Sequence, residues 1–202
     1  MILALALLVA VAKPDAVSAS VDDCIPVEND LDRLACYDKA SGRSPKAVKV
    51  DAAGSAWRVV SEVSKLTDDP TVTLMVRTAE PVRCGFREPE PMSLYLRCME
   101  NTTSLYFAGE CHLTSSQYND YGHVDIRLDN DKAFTSRMNQ STDSRALGLW
   151  NGGYSIPVIK RMIGKKRLIA RMTPFSESPI TVEMDISGLD AAIEPLRNAC
   201  GW

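Results

Sequence analysis

Segment after segment of this chain alternates apolar and polar residues with a period of two, and no other feature constrains the fold so tightly. In "TVTLMVRTAE", Val72, Leu74 and Val76 face one way while Thr71, Thr73, Met75 and Arg77 face the other. "MSLYLRCME" sets Leu94, Leu96 and Cys98 against Tyr95 and Arg97, and "GHVDIRLDN" sets Val124, Ile126 and Leu128 against Asp125, Arg127 and Asp129. "ITVEMDISG" repeats the pattern with Val182, Met184 and Ile186 inward. Successive side chains of a strand point to opposite faces, so each segment reads as a half-buried strand. Together with "WRVVSEVSKL", "TSLYFAG" and "RLIARMTPF", and with Pro, Gly, Asn and Asp turns between them, they predict about seven or eight antiparallel strands in a β-sandwich or open barrel.

Helical patterns interrupt this texture in three places. "SIPVIKRMIGK" offers Ser155 as a cap, Pro157 in the first turn and Gly164 at the end, with Ile156, Ile159 and Ile163 on one face. "SGLDAAIEPLRNACGW" spaces Leu189, Ile193, Leu196 and Cys200 at helical intervals, and Pro195 must kink or split it. Near the N-terminus, Asn29 or Asp30 caps a short run with Leu31, Leu34 and Ala35 on one side. The expected class is α+β: a mainly antiparallel sandwich or open barrel, a short N-terminal helix, one inserted helix and a C-terminal helix across the sheet.

The chain opens on "MILALALLVAVA", which is shorter than the roughly 20 apolar residues a membrane-spanning helix needs. An apolar stretch of this length followed by small residues, here Val17-Ser18-Ala19, is the pattern of a secretory signal peptide. The expected organisation is a signal peptide over 1–19, a disulfide-tied helical segment over 20–42, a linker over 43–56 and a β-rich domain over 57–202. No stable membrane insertion is expected once the signal is removed.

Export changes how the six cysteines read, because thiols oxidise outside the cytoplasm and an even number suggests pairs. Zinc sites need closely spaced ligand pairs and redox sites usually show C-x-x-C; neither is present. Cys24 precedes the short N-terminal helix and Cys36 lies within it, so a bridge between them ties the incoming chain onto the helix, contributing about 2 to 4 kcal/mol. For Cys84, Cys98, Cys111 and Cys200 the favoured pairing is Cys84 with Cys98 on adjacent strands and Cys111 with Cys200. Spacing leaves the other pairings open.

A formal net charge of -3 gives no global attraction to nucleic acid, and no nucleic-acid partner is expected. The chain has two histidines, His112 and His123, outside any catalytic motif. Cys111 beside His112 is a conceivable nucleophile pair, but neighbours in a strand point to opposite faces. Asp125, Asp129, Asn130 and Asp131 supply oxygens of the kind calcium takes, yet the glycine-centred calcium loop is missing. No enzyme activity, metal or cofactor is expected. Binding has more in its favour. Arg137, Arg145, Trp150 and Tyr154 lie in a polar run, and Arg and Trp are over-represented at contact hot spots. With Arg127 and Asp129 they form the candidate partner-binding set. A basic cluster, Lys160, Arg161, Lys165, Lys166 and Arg167, reads foremost as a solvated helix end.

The order of segments "C…LDRLACYD", "TDDPTVTL", "LYLRCMENTTSLY", "VDIRLDNDKA", "STDSRALGLW", "SIPVIKRMIGKKRLIARMTPF" and "DISGLDAAIEPLRNACGW" resembles the type VI secretion-associated VasI/TagO-like family of exported bacterial proteins. The likeness runs from Cys24 to Trp202. It implies residence in the periplasm, a protein partner in the envelope, type VI secretion components among the candidates, and an accessory, non-catalytic role. An exported inhibitor or immunity-like module acting on a cell-wall hydrolase is the alternative, and a small envelope hydrolase a third reading.

Overall fold

The computed structural model describes residues 20–41, 48–51, 55–116 and 120–202; the expected signal peptide lies outside the described residues. The chain divides into two compact units, residues 1–45 and 46–202.

In the first unit, a 3-10 turn over Val21–Cys24 is closed by a reciprocal cap. The Ser20 hydroxyl accepts from the Asp22 N–H at 3.2 Å, and the Asp23 carboxylate accepts from the Ser20 N–H at 2.9 Å. Helix α1 follows over Asp30–Ala40, and the Cys24–Cys36 disulfide joins the turn to the helix as the spacing predicts.

The second unit carries the strands β1 Val48–Asp51, β2 Arg58–Val63, β3 Pro70–Arg77, β4 Ser93–Met99, β5 Thr102–Ala108, β6 His123–Leu128, β7 Phe134–Arg137, β8 Asn139–Gln140, β9 Ala146–Leu149, β10 Arg167–Met172 and β11 Ile180–Asp185. Helix α2 spans Gly152–Met162, α3 Leu189–Ala192 and α4 Glu194–Cys200. The strands form two open sheets, ordered β1-β2-β3-β4-β5-β9-β8 and β11-β10-β6-β7, with every pairing antiparallel. The α+β sandwich-like class is therefore right, and no barrel closes.

The alternation behaves as the sequence demands. Val72, Leu74, Val76, Leu94, Leu96 and Phe107 bury one face of the larger sheet in the same apolar cluster as Val124, Ile126, Leu128, Leu168, Met172, Val182 and Met184 of the smaller. Trp57 sits in this cluster with its indole N–H donating to the Ile186 carbonyl at 3.0 Å, which ties the start of β2 to the end of β11. Ile159 and Met162 from α2, and Leu189, Ile193 and Leu196 from the C-terminal helices, complete the core.

Several expectations need correction. The stretch 43–56 is not linker throughout: Val48 and Val50 alternate with Lys49 and Asp51 in β1, a period too short to stand out in a lysine-rich segment. The polar run after Leu128 holds three short strands, β7 to β9: β7 pairs with the preceding β6 and β8 with the following β9, while β9 joins the larger sheet through the distant β5. Ser155 does not cap α2, which starts three residues earlier. Its buried hydroxyl instead donates to the Thr103 carbonyl at 2.8 Å and pins the helix to β5. Gly164, with φ of +78°, does end the helical segment, and Pro195 does split the terminal helix.

The favoured disulfide pairing is overturned. Cys84 bonds Cys111, and Cys98 bonds Cys200. Cys84 lies beyond the Ser93 end of β4 and Cys98 near its other end, so about 20 Å of extended strand separates their surroundings. Cys98 points inward with Leu94 and Leu96, where α4 packs against β3 and β4 and presents Cys200. Cys111 follows β5 as that strand runs back toward the Cys84 loop.

Candidate functional site

The second face of the larger sheet is built from the polar halves of the same alternating strands. The register sets Tyr95 opposite Tyr106, Arg97 opposite Ser104, and Ser93 opposite Ala108, while Gly148 of β9 lies opposite Tyr106. Two residues beyond Gly148, Trp150 completes a row across β4, β5 and β9. Tyr95 and Tyr106 stack with centroids 4.9 Å apart, and Tyr106 and Trp150 with centroids 5.1 Å apart. Each such contact is worth about 0.5 to 1.5 kcal/mol beyond the area it buries. Gly148 makes the row possible: a Cβ there would stand 2.5 Å from the Tyr106 Cβ.

Arg97 places its guanidinium 5.4 Å from the centre of the Tyr106 ring. Burial raises the Tyr106 phenol above its usual value, while the Arg97 charge pulls it down and Tyr95 adds to the rise, so the hydroxyl stays protonated. The row floors an open groove of about 760 Å³. At one end Glu110 bonds both Arg145 and Arg87, the latter at 2.9 Å, and the Trp150 indole N–H donates to the Asn139 carbonyl at 2.8 Å.

Of the six candidate partner-binding residues, the groove gathers only Arg145 and Trp150. Arg127 lies on the exposed face of the smaller sheet, beside Phe134 and Arg171. Asp129 serves the fold: in a left-handed turn, its carboxylate accepts the Lys166 and Arg167 N–H groups at 3.0 and 2.9 Å, and these bonds hold it below the usual carboxylate range. Arg137 donates to the Ser116 carbonyl and sits 3.2 Å from the His123 ring. Tyr154 is exposed on α2. Tyr95, Arg97, Tyr106 and Glu110 were missed, although the alternation of "LYLRC" already put a tyrosine and an arginine together on the non-core side of a strand.

The other chemistries considered are spoken for. Cys111 is bonded to Cys84, so it offers His112 no thiol, and the His112 ring packs on Phe175. The Asp125 carboxylate is engaged by the Thr135 hydroxyl and by Arg171, which lower its pKa, and Asp131 pairs with Lys165 at 2.8 Å. Among the described residues no cluster of His, Cys, Asp or Glu is arranged to hold a metal ion.

The disulfide-stapled pair of antiparallel sheets carries this aromatic and arginine-lined groove on the exposed face of the larger sheet. The family model described as "Type VI secretion system VasI, EvfG, VC_A0118" matches residues 23–202, and the chain belongs to that family of type VI secretion-associated proteins. No curated protein sequence matches it. Among solved structures it is similar to the crystal structure of invasion associated protein B from Bartonella henselae, with 10% identity, a TM-score of 0.47, and coverage of 73% of this chain and 96% of that one.

Proposed function

We propose that the chain is an exported, non-catalytic component of the envelope side of a type VI secretion apparatus, resident in the periplasm, and that it works by binding a protein partner. The observation that carries the binding role is the groove on the larger sheet: three stacked aromatic rings with arginines at both ends, on the face turned away from the core. Three disulfides support an oxidising compartment. Among the described residues no helix is long and apolar enough to cross a membrane, which fits a chain that stays outside the bilayer after processing.

The test is affinity purification of the oxidised protein from its own host, wild type beside Trp150→Ala and Arg145→Ala, with mass spectrometry of the eluates. Recovery of secretion-apparatus components, lost in the variants, supports the reading. Recovery of a cell-wall hydrolase in their place overturns it in favour of the inhibitor reading. That second reading has one observation behind it: Phe86 is fully exposed on a loop held at its base by Cys84–Cys111, the form of an inhibitory plug.

A further inference from the structure

In the larger sheet's outer groove Arg97 stands out, because among the described residues it alone has a buried side-chain polar atom without a hydrogen-bond partner. Arg87 and Arg145 share Glu110, whereas among the described residues Arg97 makes no ion pair or side-chain hydrogen bond, and its Nε is buried without a partner. Arginine is always charged and presents a planar fork of donors, so a half-buried guanidinium without an anion leaves strong donors unused. Its ring contact with Tyr106 fixes it in place but accepts no proton. Next to it the Tyr95 and Tyr106 hydroxyls also lack protein partners among the described residues. The groove therefore holds one cation and two phenols, all with hydrogen-bonding capacity to spare.

The remaining charges narrow the ligand. Glu110 is neutralised by its two arginines, and Asp143 accepts from the Ser141 hydroxyl and the Arg145 N–H. At the far end Arg77 and Glu90 line the groove with opposite charges, and Arg97 is the lining residue with a buried donor left without a partner among the described residues. Arg77 lies opposite Ser93, four residues along β4 from Arg97, so the groove is about 13 Å long between these points, the span of four extended residues. A sugar ring needs an open aromatic face, and Tyr106 has Tyr95 on one face and Trp150 on the other. Ring edges, phenols and a guanidinium suit a carboxylate on an extended backbone instead.

We propose that this groove binds an extended peptide through a carboxylate seated on Arg97, flanked by the Tyr95 and Tyr106 hydroxyls. The proposal rests on the binding role argued above and names the chemistry its site takes.

The test is a titration of the full oxidised protein with an acetylated, amidated peptide Gly-Ser-Gly-Ser-Glu and its Gln counterpart. Trp150 fluorescence and the Arg97 Nε–H nuclear magnetic resonance signal are followed together. The expected result is that the Glu peptide shifts both signals, and that the Gln peptide, or Arg97→Gln with the Glu peptide, binds about tenfold more weakly or worse. Arg97→Lys, which keeps the charge but loses the fork, falls between. Arg127→Gln, on the other sheet, binds as the wild type does. The proposal is overturned if wild-type protein binds both peptides equally or neither, if inorganic phosphate displaces the Glu peptide at equal concentration, or if a chitin oligosaccharide binds and is indifferent to Arg97→Gln. Failure here with Trp150-dependent recovery of secretion components intact would sink the carboxylate and leave the binding role standing.

Discussion

At Gly148 a single hydrogen atom in place of a side chain decides whether three rings stack. Any Cβ there collides with the Tyr106 Cβ and also lies 2.8 Å from the Leu105 carbonyl, both on a central strand that has little room to shift. Gly148→Ala is expected to destabilise the fold by about 1 to 3 kcal/mol through overpacking and to change Trp150 emission. Thermal unfolding with fluorescence detection measures both; an unchanged melting temperature would contradict the geometry. Asp129 makes a different kind of prediction. Its pKa, like those of Asp125 and Asp143, is lowered, first by the Arg167 backbone hydrogen bond. A depressed carboxylate contributes stability that is whole above its unfolded value, about 3.9, and is lost as pH falls through the lower folded value. Melting temperature should therefore drop in that acid window, and Asp129→Asn, which tolerates the left-handed turn, should flatten the drop.

Among the elements, α4 is held from two sides. Its buried Leu196 packs into the core, and Cys98–Cys200 fastens its end to β4 across 102 residues of chain. Replacing both cysteines with alanine is expected to cost about 2 to 5 kcal/mol and to lower the unfolding midpoint in denaturant. The same change at Cys24 and Cys36 should leave the midpoint of the β-rich unit where it is, since that bridge lies within the first unit. A shared drop would show the two units to be energetically coupled. Peptide mapping under non-reducing conditions should return Cys84 linked to Cys111. The C-terminal Trp202 is also engaged: its indole N–H donates to the Thr103 hydroxyl at 2.9 Å, and Arg197 and Lys160 lie over its ring. Thr103 thus receives both the α2 contact from Ser155 and the last residue of the chain.

Over the whole molecule, the proposed periplasmic role carries a prediction of its own. Chain recovered from the periplasmic fraction should begin at Ser20 and carry no titratable thiol under denaturing, non-reducing conditions. Intact mass with and without alkylation checks both points, and a full-length cytoplasmic form with free thiols would contradict them.

What the sequence by itself determined follows from local physics. Period-two alternation assigned the core face of β3, β4, β6 and β11, and the short loop from Cys24 to Cys36 left little choice of partner. The tertiary structure alone decided the rest. Alternation says which side of a strand is wet without saying which wet residues of separate strands will adjoin, so Tyr95, Tyr106 and Trp150 became a row only through the β4-β5-β9 register. The same holds for the two long-range disulfides: sequence proximity favoured Cys84 with Cys98, but a rigid strand held those two apart and carried each to a partner brought near by packing. Asp129 and Arg97 were alike as exposed charges on paper. Backbone N–H groups at the start of β10 satisfied the first, and no described residue pairs with the buried Nε of the second.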